Sequence, residues 1–539
     1  MYGSITLENR FGVNKMELIS LKYAIFVIVL LVLYYCFPKK YRWYVLLAGS
    51  MAYYVIICKW YVLFIIFTIC TTYGSTIWID KLLKKQNAIV KSHKEDWDRQ
   101  TRKEYKEKGR KKRVAVMLFA LLCNFGILAF LKYIPYAGEL GLLLPLGISF
   151  YTFQSMGYVM DVYREIVEPE KNFLKVALFV SFFPQIIQGP IAIYDKLAGQ
   201  LYEGHSLRLE NLQKGALLVL WGVMKKLVIA DRAVNIINFV MDKPMDFSGT
   251  YVFFAAVVYA LQLYADFSGG IDIVRGIAEM FGITMSTNFN HPYFSRSLTE
   301  YWHRWHMTLG DWCRNYIFYP LSISKRFLNF GKWLKPRFGA HISKVLPGCI
   351  ASVITFIVIG VWHGANMKYL YFGLWNGIVI MLAELFAPVN KKVAGGFFKL
   401  TGLREKGIFA TIVSVLWTFM LILVGYYFDI AANASTAFHM LFKSVTDFHI
   451  SELGINNIIL NLGACGLDEY DILLLIICTL LWFFISFVEE NKKLDMRDFI
   501  LSRKLPLRWA IIYLGIFIVI IFGYYGPGVN PADFVYMQF

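Results

Sequence analysis

Charge is scarce in this sequence, and most of it has one sign. Only 17% of the 539 residues are Asp, Glu, Lys or Arg, against about 25% in soluble domains. There are 37 acidic and 55 basic side chains, a formal net charge of +18. With 58% hydrophobic residues and a mean hydropathy of +0.51, an ordinary soluble domain is excluded. Other absences narrow the chemistry. The eight cysteines form no Cys-x-x-Cys pair, so neither a zinc nor a disulfide framework is indicated. Cys36, Cys58, Cys70, Cys123, Cys349 and Cys478 lie in or beside apolar runs, where a free thiol serves as a small hydrophobe. There is no Gly-x-Ser-x-Gly elbow, no Walker A loop and no Gly-x-Gly-x-x-Gly, which removes the serine-hydrolase elbow and the recognisable nucleotide loops. No internal repeat, Gly/Ser linker or compositional break divides the chain, so one membrane domain over residues 1–539 is expected. No cleavable signal is read either. The first apolar run, residues 18–37, is too long for a signal core and leads into Pro38, Lys39 and Lys40 rather than a small-residue cleavage site.

Apolar runs of nearly membrane-spanning length recur throughout. Residues 18–37, 60–79, 114–131, 369–386, 472–487 and 510–522 are the clearest. The hydropathy rule predicts about eleven to fourteen transmembrane or re-entrant pieces, with residues 144–285 too interrupted for firm counting. The basic excess belongs to loops rather than to a nucleic-acid site. Residues 81–113 hold fourteen Lys or Arg against five Asp or Glu, without a Gly-rich or aromatic RNA-binding signature. They are expected to form a cytoplasmic loop near anionic headgroups. Stretches 325–344, 391–406 and 492–508 then also fall inside, separated by pairs of crossings. This parity puts residues 431–470 and the C-terminus outside. The N-terminus is outside as well if residues 43–58 cross. The expected product is a multi-pass cell-membrane protein with both termini extracytoplasmic, with lipid as a partner and no nucleic acid. The run ending Gly360-Val361-Trp362-His363-Gly364 must go from inside to outside, which sets His363 toward the outer half of the membrane.

Ionisable groups in membrane segments are costly and are candidates for function. His363 is the foremost, since imidazole exchanges protons near neutral pH; the competing reading is an interfacial histidine beside a Trp anchor. A second candidate lies in "SLTEYWHRWHMTLGDWCRNYIFYPL", residues 297–321, which is too polar to span lipid. At helical spacing His303 and His306 share a face. Trp302, Trp305, Leu309, Trp312 and Tyr316 supply the apolar side of an amphipathic piece, with Arg304, Asp311 and Arg314 opposite. A surface helix fits this pattern equally. No His-Glu-x-x-His occurs, so no metal is expected. In "YALQLYADFSGGIDIVRGIAEMFGI", residues 259–283, Asp266, Asp272, Arg275 and Glu279 interrupt an apolar run. Ser268-Gly269-Gly270 is expected to break that helix, and Asp272, Arg275 and Glu279 are spaced to pair. "PLGISFYTFQSMGYVMDVYR", residues 145–164, carries Gln154, Asp161 and Arg164. "FFPQIIQGPI", residues 182–191, carries Gln185 and Gln188, expected as buried amides.

Taken together, these stretches, with residues 292–320, 360–377 and the ending Phe-Val-Tyr-Met-Gln-Phe at 534–539, resemble the membrane-bound O-acyltransferases, MBOAT, and within them the alginate O-acetyltransferase-like branch. The resemblance implies an all-α polytopic membrane protein, an MBOAT-type helical bundle around a central catalytic tunnel. Residues 292–325 would be its catalytic segment and 407–539 a C-terminal transmembrane extension. It implies that His363, of Trp-His-Gly, is catalytic. Of the two histidines in Trp302-His303-Arg304-Trp305-His306, it implies His306 as the second. Trp305, Trp362, Arg304, Arg314, Asp266 and Asn376 are carried as substrate-binding or supporting residues. The implied substrates are acetyl-CoA or another activated acyl donor from the cytoplasmic side, with no bound cofactor, and an extracytoplasmic polysaccharide. A separate extracytoplasmic acyltransferase is the implied partner. D-alanyl transfer to teichoic acid is the cousin reading; a secondary transporter or an export-complex scaffold are the non-enzymatic ones. The sequence departs from the family pattern at His303, where Arg is usual, at Asn315, where Asp is usual, and at Ser322-Ile323-Ser324-Lys325, where a Gly-Gly loop is usual.

Overall fold

The computed structural model describes residues 16–134, 138, 140–401, 404, 407–454, 457, 463–526 and 534, and among these there is no strand. The chain termini, with residues 535–539 of the family-like ending, lie outside the described residues. Two compact units emerge, Met1–Val219 with Ile273–Ser286, and Leu220–Asp272 with Thr287–Phe539. Each is described by itself.

The first unit opens with α1 (Leu21–Cys36), α2 (Arg42–Cys58), α3 (Val62–Ser92), α4 (Arg99–Tyr133) and α5 (Ile148–Tyr163). The basic segment 81–113, expected as a loop, is mostly helix. α3 continues to Ser92 and α4 starts at Arg99, where the Asp98 side chain accepts from the Thr101 N–H at 2.9 Å. Lys, Arg, Glu and Gln are good helix formers, and an Asp cap stabilises the N-terminus by about 1 kcal/mol. Only six residues turn the hairpin. In α5, residues 148–162 are all buried. The Gln154 amide donates to the Phe179 carbonyl at 2.6 Å, and the Gln185 amide donates to Gln154 Oε1. Gln185 and Gln188 are thus the buried amides that their sequence setting predicts, and Gln154 is buried with them.

The second unit contains most of α6 (Gly249–Met280), then α7 (Leu298–Arg304), α8 (Met307–Cys313), α9 (Lys325–His363), α10 (Met367–Leu385), α11 (Ile408–Ile430), α12 (Glu469–Lys492) and α13 (Leu505–Phe522). Seven stretches of the described residues are long and apolar enough to cross a membrane. These are Lys39–Ser92, which takes in α2 and α3, and helices α4, α6, α9, α11, α12 and α13; α10 with Ala387–Thr401, bent by 67°, makes an eighth if the two are one span. The remaining apolar pieces are shorter. α1 has 16 residues, and the stretch that resisted counting resolves largely into short helices such as Phe173–Ser181 and Phe183–Gln188.

One expectation is corrected here. α6 runs unbroken through Ser268-Gly269-Gly270. Its glycine permits close packing rather than a break, since a Cβ on Gly269 would sit 2.9 Å from the Gly222 carbonyl oxygen. The Ser268 hydroxyl donates back to the Tyr264 carbonyl at 2.6 Å within the same helix. Beside it lies a buried ion cluster. Lys226 Nζ is 2.7 Å from Asp266 and 2.8 Å from Asp231, and Lys225 Nζ is 2.6 Å from Asp272 and 2.8 Å from Ser268. Asp266, carried from the sequence as a site residue, is fully buried in this cluster.

α9 and α10 form the tightest helical pair. α9 is interrupted at Gly339, whose φ of 80° lies in the left-handed region. Beyond that break it runs to His363, and α10 returns after Asn366, whose side chain accepts from the Lys368 N–H at 3.1 Å. A methyl group at Gly360 would overlap the Tyr369 carbonyl, and one at Gly373 would overlap the Phe356 carbonyl. These glycines bring two backbones into contact, and that contact fixes where α9 ends.

Two stability outcomes follow. Gly373→Leu forces the pair apart, and overpacking of this kind costs about 1–3 kcal/mol; thermal unfolding of the detergent-purified protein should show a lower midpoint. Lys226→Met leaves two carboxylates without their shared cation, at a cost of about 3–5 kcal/mol. A Lys226→Met protein that unfolds at the wild-type midpoint would contradict the structural role given to the cluster.

Candidate active site

The segment 297–321 does not form one amphipathic helix. Ser297 caps α7, accepting from the Glu300 N–H at 3.1 Å, and α7 stops at Arg304. His306 then adopts φ 43° and ψ 51°, a left-handed conformation, before α8 begins at Met307. That conformation is uncommon for a residue with a Cβ and costs of order 1 kcal/mol or more. Neighbouring bonds hold it. The Met307 N–H donates to the Asn288 carbonyl and the Asn290 N–H to the Arg304 carbonyl, both at 2.9 Å. The Leu309 and Gly310 N–H groups both donate to the His306 carbonyl at 3.1 Å.

The break separates the two histidines that helical spacing placed on one face. His303 is exposed and lines a large cavity, whereas His306 is 2% exposed. The His306 ring packs edge-on against Phe267 at 4.9 Å and Trp362 at 6.4 Å between centroids. Its Nδ1 lies 3.1 Å from Asn288 Oδ1. Burial, reinforced by the neighbouring His363, holds the His306 imidazole well below its ordinary range, in the neutral form. His363 is the last residue of α9. Its ring lies 4.9 Å from Trp362, 5.5 Å from Phe372 and 5.9 Å from Tyr369.

His306 and His363 line one buried chamber of about 20 Å³, together with Trp302, Trp305, Tyr426 and Asp429. That is room for about one water molecule. Trp305 is buried against Phe289, with ring centroids 5.0 Å apart. The wall between this chamber and its neighbour is Trp302, which lines both. The Trp302 indole donates to Asn376 Oδ1 at 3.0 Å, and the Asn376 amide donates to the Phe372 carbonyl at 2.9 Å. Asn376 therefore fixes the wall from outside the chamber. The neighbouring cavity, of about 450 Å³, is lined by His303, Asp311, Arg314, Lys344 and Glu384 among apolar side chains. Lys344, Gly348, Ser352, Thr355 and Ile359 line it at helical spacing, so it follows one face of α9 for roughly 22 Å at 1.5 Å per residue.

The other sequence-predicted residues fall outside the chamber. Arg304 pairs with Glu300 at 2.7 Å and with Glu490 of α12 at 3.0 Å. Arg314 pairs with Asp311 on the cavity wall. Asp266 stays in its ion cluster. Sequence reasoning missed Asn288, and it missed a hydroxyl network at the far side of the chamber. There Tyr301 and Tyr426 share a hydrogen bond of 2.7 Å, and Tyr259 donates to Asp429 at 2.7 Å. Lys368 Nζ donates to the Asp429 and Ala431 carbonyls at 2.7 and 2.8 Å. Asp429 was findable as the lone carboxylate in the apolar run 408–430. Among the described residues no three His, Cys, Asp or Glu side chains gather as a metal site.

Residues 169–335 match the sequence model of MBOAT, the membrane-bound O-acyltransferase family. That span includes His306 and ends before His363. Among curated proteins, the chain is 30% identical over 315 residues to a probable alginate O-acetylase of Pseudomonas syringae, a match covering 58% of this chain and 54% of that protein. It is 30% identical over 314 residues to a peptidoglycan O-acetyltransferase of Helicobacter pylori, covering 51% and 56%. It is 26% identical over 288 residues to a teichoic acid D-alanyltransferase of Bacillus subtilis, covering 52% and 67%. The chain thus spans little more than half the length of the first two relatives. With its apolar helices, the chain is a multi-pass membrane protein whose residues 169–335 match the membrane-bound O-acyltransferase family.

Proposed function

We propose that this protein is a membrane O-acyltransferase that moves an acetyl group from an activated donor on the cytoplasmic side to hydroxyls of an exported cell-surface polysaccharide. The observation that carries the reading is the convergence of His306 and His363 on one chamber, next to a larger cavity that carries cations. The relatives named for O-acetylation of alginate and peptidoglycan support acetyl as the group and a polymer as the acceptor. The sidedness comes from charge. Lys344 closes the basic stretch 325–344 that the positive-inside rule assigns to the cytoplasm, and His363 ends the same helix.

Acyl transfer to an alcohol needs a base, an electrophilic carbonyl held close and a partner for the developing charge. In this reading the donor, acetyl-CoA or another activated acyl compound, is a substrate that enters the larger cavity. There Arg314 and Lys344 meet its anionic part. His363 takes the proton of the acceptor hydroxyl arriving from outside. The hydroxyl oxygen bonds to the acyl carbon, and the bond from that carbon to the donor's leaving group then breaks. The proton held by His363 passes to the leaving group, so the imidazole ends neutral. His306 assists at the same centre. Trp305 and Trp362 exclude water, which limits hydrolysis of the donor. Arg304, tied between two carboxylates, shapes the end of α7 instead of meeting the donor. A separate extracytoplasmic acyltransferase serves as the partner on the polymer side.

The test is mild-alkali release of small acids from surface polymers in three kinds of cell: those with the protein, those without it, and those carrying His363→Ala at matched protein level. Acetate is expected to fall in both defective strains. Loss of a proton acceptor costs about 10²–10⁴-fold in rate, so His363→Ala should nearly abolish transfer, and His306→Ala should cost far more than His303→Ala. D-alanine lost in place of acetate would move the acceptor to teichoic acid with the site unchanged. Full acetylation with His363→Ala would overturn the mechanism.

A further inference from the structure

The bond between His306 and Asn288 decides which imidazole nitrogen is available for chemistry. Asn288 Oδ1 lies 3.1 Å from His306 Nδ1, 3.1 Å from the Thr308 backbone nitrogen and 2.9 Å from Thr308 Oγ1. Side-chain amide oxygen and nitrogen are told apart only by their partners. Here one partner is unambiguous, because a backbone N–H only donates. The atom facing Thr308 N and His306 Nδ1 must therefore be the amide oxygen. Turning the amide round would set an NH2 group against that N–H. Asn288 Nδ2 has no hydrogen-bond partner among the described residues, so turning the oxygen toward these partners is what the amide gains from its position.

An amide oxygen accepts and does not donate. A hydrogen bond to it from His306 requires the proton on Nδ1. In a neutral imidazole the other nitrogen then carries the lone pair. We infer that Asn288 is a positioning residue that locks His306 as the Nδ1–H tautomer, so that His306 works through Nε2 as a hydrogen-bond acceptor for a second hydroxyl of the acceptor molecule, beside the one that reacts. This deepens the proposed acyl transfer and rests on it for the identity of the hydroxyl. It also separates two ways in which His306 could assist, polarising the acyl carbonyl or holding the acceptor. A neutral imidazole with its lone pair at Nε2 cannot polarise an acyl carbonyl from that atom, because polarisation needs a donor. It can accept from a neighbouring hydroxyl of the acceptor and so hold the reacting O–H, left free to donate, toward His363.

The structure supplies the rigidity such a lock requires. Asn288 is 1% exposed, and its own carbonyl accepts the Met307 N–H at 2.9 Å. Backbone and side chain of one residue thus hold both the left-handed turn at His306 and the orientation of its ring. The substrate class that follows is a molecule with several alcohol groups: a neutral donor O–H suits an acceptor nitrogen in a buried chamber, whereas an ammonium group would arrive charged and lose its hydration there.

The test uses the full-length protein in lipid nanodiscs, with 15N-labelled histidine. The His306 signals are assigned by their loss in His306→Gln. The expected spectrum at neutral pH has a protonated Nδ1 and an unprotonated Nε2. Asn288→Asp keeps an acceptor oxygen and should keep the proton on Nδ1, while its carboxylate, a charge beside a buried ring, should also raise the share of imidazolium and lower transfer. Asn288→Leu removes it at similar volume; the tautomers should mix, and transfer should fall roughly 10- to 100-fold, the range typical for partners that orient a reactive imidazole. A protonated Nε2 in the wild type, or an unchanged tautomer in Asn288→Leu, would overturn the inference. If the wild type shows Nδ1–H but transfers no acyl group, the lock stands and the proposed reaction falls; if it transfers with the proton on Nε2, the reverse holds.

Discussion

The hydrogen bonds that tie residues 288–290 to residues 304–308 are the constraint on which the chamber depends. Two backbone bonds of 2.9 Å and the Asn288 side chain hold a left-handed residue between two short helices. Without them α7 and α8 would have no reason to stop and restart, since neither Pro nor Gly stands at the junction. A continuous helix would put His303 and His306 on one face. The break sends His306 into the interior and leaves His303 in the larger cavity. Each bond contributes about 1 kcal/mol net, so together they offset the strain of one unfavourable backbone conformation. Function is thus placed by a local exception to helical geometry that the surrounding chain can sustain.

The second support is steric. His363 is set by where α9 ends, and α9 ends where Gly360 and Gly373 let α10 approach. Between helices in lipid there is little hydrophobic drive, and packing takes its place, which favours small residues at the contact. The placement of His363 and the packing of the helix pair share the same glycines. Apart from Asp429, which lines the chamber and accepts from Tyr259, the charged side chains named above pair away from the two histidines. Lys225 and Lys226 pair with Asp231, Asp266 and Asp272 beside α6, and Arg304 pairs with Glu300 and Glu490. A stray charge beside His306 would shift its protonation, because Coulomb interactions are poorly screened at low dielectric.

Much of this was legible in the sequence, for reasons of scale. Runs such as 114–131 and 472–487 read as helices because lipid demands apolar length, and both lie in helices, α4 and α12. His363 and His306 stood out as ionisable groups in an apolar setting. What stayed hidden depended on contacts distant in sequence or on backbone detail. The turn at His306 leaves no compositional mark, and Asn288 looks like any loop amide until Thr308 and His306 meet it. Gly269 read as a helix breaker because glycine weakens helices; only the facing Gly222 carbonyl reveals it as a packing site. The basic hairpin read as a loop because charge, and not helix propensity, drew attention. Asp266 read as a site residue because a buried carboxylate is costly, and its partner Lys226 lies forty positions away.

Trp302 connects these levels. Among the described residues it is the one side chain that lines both the chamber and the larger cavity, and a hydrogen bond of 3.0 Å to Asn376 holds it there. A neutral hydrogen bond of this kind is worth about 1 kcal/mol net, while the ring buries far more through packing against Phe356 and Phe372. Packing therefore sets the wall and the hydrogen bond sets its angle. A wall of that kind resists bulk water, which gains little from a chamber with room for about one molecule. Under the proposed transfer it yields to a substrate that brings binding energy from elsewhere in the cavity, as remote contacts are used to offset rearrangement at the reacting centre. In that reading water exclusion and substrate access are set by one side chain, and His306 and His363 stay dry until a donor occupies the cavity beside them.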